Sequence, residues 1–194
     1  MKTITIIAGS HGVGKISFLG ALQGILEYIP DIIDEDKILP SNGNTEQTMQ
    51  KVVCDLVSGE INWDLPVTLK TTLFPKLIPV LAGAKEEGYR IEMNYIALSS
   101  GEDCAARVRN RVQKGGRDVS PEEIQASFDQ RWEMLSRFLP VCDEILFYNN
   151  DNGFEPIGRY MHGEFVPISK KLPTWWDEML CDFNSIKDGE TNAP

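Results

Sequence analysis

Residues 3–17 constrain this chain more than any other stretch. Thr3-Ile4-Thr5-Ile6-Ile7-Ala8 is an apolar, β-branched run. It passes directly into the glycine-rich Gly9-Ser10-His11-Gly12-Val13-Gly14-Lys15, and Ile16-Ser17-Phe18-Leu19 then opens an amphipathic stretch. Strand, glycine loop and helix in immediate succession let several backbone N–H groups turn inward on an anion. The helix N-terminus adds partial positive charge, and Lys15 can reach terminal phosphates. Gly9, Gly14 and Lys15 stand at Walker A spacing, but Ile16 occupies the position where Ser or Thr would offer Mg²⁺ a hydroxyl. A phosphate cradle is therefore expected at residues 9–17, with an atypical metal corner.

Any affinity for phosphate must be local. The 194 residues carry a net charge of −10, which argues against a general binder of nucleic acid or anionic membrane, both polyanions. Cys54, Cys104, Cys142 and Cys181 form no CxxC pair, and His11 and His162 are the only histidines, so zinc spacing is absent. Buried thiols in a reducing cytosol are the expectation. No apolar run has the length of a membrane span and the N-terminus enters a strand at once, so a cytoplasmic protein of one domain is expected.

Along the chain, strand and helix alternate. The first helix is expected to run to about Tyr28, before Pro30, and Asp31-Ile32-Ile33-Asp34 reads as a second strand ending in the acidic cluster Asp34, Glu35 and Asp36. Thr45 can cap a helix carrying Met49, Val52, Val53, Leu56 and Val57. Residues 67–72 read as a third strand, and a helix from Pro75 and Leu77 stops at Gly88. Tyr89–Leu98 form a fourth strand, and a capping serine at 99–100 leads a helix that breaks at Gly115-Gly116. Ser120-Pro121-Glu122-Glu123 starts a helix expected to reach about Leu139, and residues 144–148 are a fifth strand. One or two further short strands fall in 154–168, turning at His162-Gly163. A last helix begins at Thr174-Trp175-Trp176, and the tail from Lys187 is expected to fray. The alternation predicts an α/β fold with a mainly parallel sheet of about five strands covered on both faces.

Ligands of such sheets sit at the carboxyl ends of the strands. The glycine loop, the Asp34/Glu35/Asp36 cluster, Lys70-Thr71-Thr72 and the arginine-rich helix after the fourth strand all fall there. Phosphoryl transfer needs a phosphate cradle, a carboxylate facing a hydroxyl, and cations that offset developing charge. Arg107 and Arg111 share a helix face and Arg109 does not; spacing alone leaves surface ion pairs and a phosphate clamp equally open. Trp175 and Trp176 can fill a core edge or form a partner surface.

An ordered series of short matches now resembles the zeta-toxin-like P-loop kinases, in the branch of predicted ATPases and zeta toxins. The series is Ile6–Gly9 into Gly14-Lys15; Ile33–Ile38; Thr71-Thr72-Leu73; Gly88-Tyr89; Arg107-Val108 and Arg111-Val112; Gly115-Gly116; Val119-Ser120-Pro121; and Tyr148-Asn149-Asn150. It spans residues 3 to about 151 and leaves 152–186 and the tail from 187 without a role. The resemblance implies a three-layer α/β/α P-loop kinase domain over residues 1–194, with ATP or GTP as donor, Mg²⁺, and a small hydroxyl acceptor such as a nucleotide-sugar. It implies Lys15, Asp36, Arg107 and Arg111 as catalytic residues. Gly9, Ser10, His11, Gly12, Val13, Gly14, Lys15, Ile16, Ser17 and Asn150 would bind nucleotide, with Asn150 near the adenine; Asp34, Lys70, Thr71 and Arg117 would bind the acceptor. A separate antitoxin-like protein is an implied partner. This chain departs from the family at Ile16, at Lys70 (Glu in the family), at Arg117 (His) and at Ser127 (Arg). Two classes follow: a kinase with a shifted site, and a nucleotide-binding pseudo-kinase acting as a sensor or partner-binding module.

Overall fold

The computed structural model describes residues 2–26, 32–34 and 67–191. Its strands are β1 (Thr3–Ala8), β2 (Ile32–Asp34), β3 (Val67–Lys70), β4 (Arg90–Ala97), β5 (Glu144–Asn149), β6 (Glu155–Met161) and β7 (Glu164–Pro167). Its helices are α1 (Lys15–Gln23), α2 (Leu77–Glu86), α3 (Gly101–Gln113), α4 (Pro121–Asp129), α5 (Arg131–Phe138) and α6 (Thr174–Thr191).

One seven-stranded sheet runs β2-β3-β1-β4-β5-β6-β7. The five strands from β2 to β5 are parallel, and β6 and β7 extend the sheet as an antiparallel hairpin. The hairpin turns at His162-Gly163, both at positive φ, the one described place where a non-glycine residue adopts that conformation. The parallel strands are buried on both faces, which explains their near-continuous apolar runs. Alternate residues serve different layers: Ile4 and Ile6 of β1 join Ile91, Met93 and Tyr95 of β4 under α2, α5 and α6. Ile7 and Ile96 point the other way, under α1, α3 and α4. The result is the expected three-layer sandwich, and β1 with its following loop stands at its centre.

Trp175 and Trp176 take the core option, at 0% and 2% exposure. Trp175 stacks on Trp132 at 5.6 Å and donates its indole N–H to Asn149 Oδ1 at 3.1 Å. Trp176 lies edge-on to Phe147, against Gly158, where any side chain would meet the indole ring.

Three boundaries differ from expectation. α1 ends at Gln23 with Gly24 as its cap, and Ile25 and Leu26 beyond it are exposed; Tyr28 lies outside the described residues. The helix expected from Ser120 to Leu139 is two, α4 and α5, meeting at Gln130. There the Arg131 guanidinium takes the Phe128 carbonyl at 2.6 Å, an insertion into the helical ladder that breaks its run. At the C-terminus, helix α6 continues through the expected tail to Thr191. The helix read after Thr45, with Glu35 and Asp36, lies outside the described residues. Among the described residues no helix is long and apolar enough to cross a membrane.

Candidate active site

The glycine loop is held by contacts on three sides. Gly9, Gly12 and Gly14 all have positive φ. A Cβ on Gly9 would overlap the Ile96 carbonyl at the end of β4, and one on Gly12 would overlap the Cys104 carbonyl in the first turn of α3. On Gly14 it would stand 2.6 Å from the Asn150 amide nitrogen. These glycines thus serve both the turn and the close approach of neighbouring backbone. Gly14 is the N-cap of α1, whose first-turn N–H groups lack intrahelical acceptors.

Lys15 is buried and folds back across the loop. Its ammonium donates to the carbonyls of Gly9 (2.6 Å) and Ser10 (3.2 Å) and to Thr72 Oγ1 (3.1 Å). Beside it a cavity of about 450 Å³ opens between the loop and α3. Ser10, His11, Gly12, Gly14, Ile16 and Ser17 line its loop side, Arg107, Asn110, Arg111 and Lys114 its α3 side, and Lys70 and Asn150 also border it. Ser100 caps α3, accepting from the N–H groups of Glu102 and Asp103, which fixes the helix that carries the arginines.

Two arginines and one asparagine tie these parts together. Arg107 donates to the Asn150 carbonyl (2.6 Å), and the Asn150 amide donates to the Val13 carbonyl (2.7 Å). Arg111 donates to the Arg117 carbonyl (2.7 Å), while its buried Nε has no partner. Burial pushes the Cys104 thiol up to about 11, against the pull of Arg107 and Lys15, so it stays protonated beside the loop.

The remaining sequence candidates fall elsewhere. Val13 is buried among apolar side chains behind the loop. Thr71 is buried, its hydroxyl on the Thr72 carbonyl, and does not line the cavity. Arg117 is exposed and contributes its carbonyl to Arg111. Asp34 forms a 2.6 Å ion pair with Lys70, whose side chain is 1% exposed, so the lysine's charge is met within the protein. Asp36 lies outside the described residues.

Sequence reasoning gave no site role to three contributors. Thr72 holds the lysine. Ser127 accepts from the His11 N–H (3.2 Å), and its carbonyl takes the Ser10 hydroxyl (2.9 Å), so α4 braces the loop's shoulder. Lys114 shares the cavity face of α3 with Arg107 and Arg111, as its spacing of seven and three residues allows.

The residue that follows the lysine offers Mg²⁺ no ligand atom. Ile16 offers no oxygen and is 52% exposed at the cavity wall. Among the described residues no carboxylate lines the cavity, and no cluster of three or more His, Cys, Asp or Glu could hold an ion.

No family model matches the chain, and no curated protein does. Solved structures do. The AvrRxo1-ORF1:AvrRxo1-ORF2 complex with sulphate ions superposes with a TM-score of 0.63 at 13% identity, over 92% of this chain and 63% of that one. The same complex with ATP gives 0.61 at 14% identity. The PezAT chromosomal toxin–antitoxin system of Streptococcus pneumoniae gives 0.58 at 16% identity, over 99% of this chain and 88% of that one. This chain thus spans under two thirds of the AvrRxo1-ORF1:AvrRxo1-ORF2 chain it matches. By these superpositions the chain has the zeta-toxin-like P-loop kinase fold.

Proposed function

We propose that this protein is a P-loop phosphotransferase that moves the γ-phosphoryl group of ATP or GTP to a hydroxyl of a nucleotide-sugar or similar small metabolite. The observation that carries the reading is one cavity with Lys15 and the glycine loop on one wall and Arg107 and Arg111 on the other. In the reaction the bond between the γ-phosphorus and the β,γ-bridging oxygen breaks. A bond from the acceptor oxygen to that phosphorus forms, and the acceptor proton passes to a carboxylate. Asp36 is the proposed carboxylate. Loop N–H groups and Lys15 would bind the β- and γ-phosphates. Arg107 and Arg111 would offset charge on the phosphoryl group in flight, where fixed donors act without reorganisation. Asn150 is proposed at the nucleoside end, and Asp34, Lys70, Thr71 and Arg117 on the acceptor side. The solved structures named for a toxin–antitoxin system or a two-component complex support a separate antitoxin-like protein as partner; the cytoplasm is the proposed location.

The test is transfer of label from γ-labelled ATP and GTP to a panel of nucleotide-sugars, resolved by chromatography. Transfer that is lost in Lys15→Ala and Arg107→Ala is the expected result. Nucleotide binding without transfer to any acceptor would overturn the kinase reading in favour of the pseudo-kinase, to which the substitution of Ile16 for a hydroxyl residue also points.

A further inference from the structure

We infer that Gly116 is a positioning residue for Arg111: it lacks a side chain so that the arginine stem can lie across the turn that ends α3. The inference rests on the phosphoryl-transfer reading above for the arginine's role, whereas the contact itself rests on the fold.

Helix α3 closes in a turn that satisfies its last carbonyls. The Gly116 N–H reaches the Arg111 carbonyl at 3.0 Å, and the Gly115 N–H reaches the Val112 carbonyl at 2.9 Å. This is a Schellman closure, with Lys114 as the cap, Gly115 at positive φ and Gly116 next after it. In such closures the residue at the Gly116 position frequently packs an apolar side chain back against the residue at the Arg111 position. Here the glycine puts nothing there, and the arginine stem takes the space. A Cβ on Gly116 would stand 2.5 Å from Arg111 Cγ, 3.0 Å from its carbonyl oxygen and 3.2 Å from its Cδ. Cγ moves only with the first side-chain torsion, so making room for that Cβ swings the whole guanidinium.

The same segment holds the far end of the side chain. The Arg117 carbonyl, next along the chain, accepts from Arg111 Nη2 at 2.7 Å. Gly115 differs from its neighbour. Its Cβ would meet nothing within 4 Å among the described residues, so that glycine serves the left-handed φ alone. Arg111 and Gly116 both line the cavity beside the glycine loop. With Nη2 on the Arg117 carbonyl, the buried Nε has no partner among the described residues and is left as a donor for a ligand. An arginine that offsets charge on a phosphoryl group in flight must be aimed before the reaction, and a displacement of about 1 Å can cost about a hundredfold in rate.

The experiment joins steady-state transfer of γ-labelled phosphate to proton–nitrogen NMR of the arginine Nε–H groups. It uses the full chain as wild type, Gly116→Ala, Gly115→Ala, Arg111→Ala and the double variant Gly116→Ala with Arg111→Ala. Gly116→Ala is expected to lower kcat by about tenfold to hundredfold while the KM for ATP stays within about threefold, because the arginine acts on the group in flight. Gly115→Ala should lower the melting temperature by about 2–8 °C, the cost of a left-handed φ in a chain of this size, with kcat within about twofold of wild type. In the Arg111→Ala background, which has no stem to displace, Gly116→Ala should change kcat by less than about twofold. A Gly116→Ala enzyme with wild-type kcat, an equal loss of kcat in Gly115→Ala, or additive losses in the double variant would each overturn the positioning role. The Nε–H resonance that disappears in Arg111→Ala belongs to Arg111; it should shift in Gly116→Ala and hold in Gly115→Ala, with or without a phosphorylated acceptor. An unmoved resonance in Gly116→Ala would overturn the inference, whereas a shifted one in a protein that transfers no phosphate would uphold the contact and refute the kinase reading.

Discussion

Asn150 sits where the glycine loop, β5 and α3 meet, and its replacement separates two roles. Its side chain is 6% exposed, and its amide donates to the Val13 carbonyl at 2.7 Å. Its backbone contacts, the N–H to Ala97 and the carbonyl to Arg107, are independent of the side chain. Asn150→Ala therefore removes a single donor and leaves the Val13 carbonyl to lose its partner. An orphaned buried polar group costs about 1–3 kcal/mol, and each kcal/mol lowers the melting temperature of a chain this size by about 2–4 °C. A fall of about 2–12 °C is expected by calorimetry. The same change lets the loop widen next to Gly14, so ATP and GTP should both weaken, by about tenfold for each 1.4 kcal/mol. Were Asn150 instead reading the base, the ratio of ATP to GTP affinity would change while the melting temperature held. Asn150→Asp, which turns an acceptor on the carbonyl, should cost more than Asn150→Ala. A wild-type melting curve for Asn150→Ala with unchanged affinity for both nucleotides would refute the bracing role.

Three further outcomes follow from other parts of the fold. Gly158→Ala places a methyl in the Trp176 ring, and overpacking should cost about 1–3 kcal/mol, read as a lower urea midpoint at unchanged slope; an unchanged midpoint would contradict the packing. Burial tends to raise the Asp143 carboxyl, but the Ile91 N–H and the Lys85 ammonium outweigh it and hold the group below the usual range. Hydrogen bonds from the Ser120 backbone likewise lower Glu123 in its capping box. With folded values depressed, both contributions are present above the ordinary carboxylate range and are lost as pH falls through the folded values. Asp143→Asn should flatten the acid limb of stability against pH, and an identical limb would sink this assignment. Among the described thiols, burial pushes Cys104 up to about 11 and Cys142 up to about 12, whereas Cys181 is exposed. Native alkylation near neutral pH, mapped by mass spectrometry, should mark Cys181 first; early marking of Cys104 would mean that the loop opens away from α3.

Much of this architecture was legible because it is local. Strand, glycine loop and helix follow one another within residues 3–17, and Ser120-Pro121-Glu123 writes its capping box in four consecutive positions. What was not legible lies between residues far apart in sequence. Lys70 read as a reversed charge beside an acceptor; the β2–β3 register sets Asp34 opposite it and meets that charge. Ser127 read as a departure in a helix, yet its hydroxyl meets the His11 N–H 116 residues away. The break at Gln130 needs a side chain to capture a carbonyl three residues back, which no periodicity records.

Lys114 was missed for a different reason. It shares a face with Arg107 and Arg111, but the Gly115-Gly116 pair directs attention to the helix end rather than to its last basic residue. The consequence reaches the chain's overall charge. A net charge of −10 is a sum, and a sum excludes broad polyanionic partners without describing any one cavity. Here the described wall collects Lys15, Arg107, Arg111 and Lys114, and the nearby Asp34 pairs with Lys70. An acidic chain whose described cavity wall is basic can repel extended polyanions and still admit a compact one.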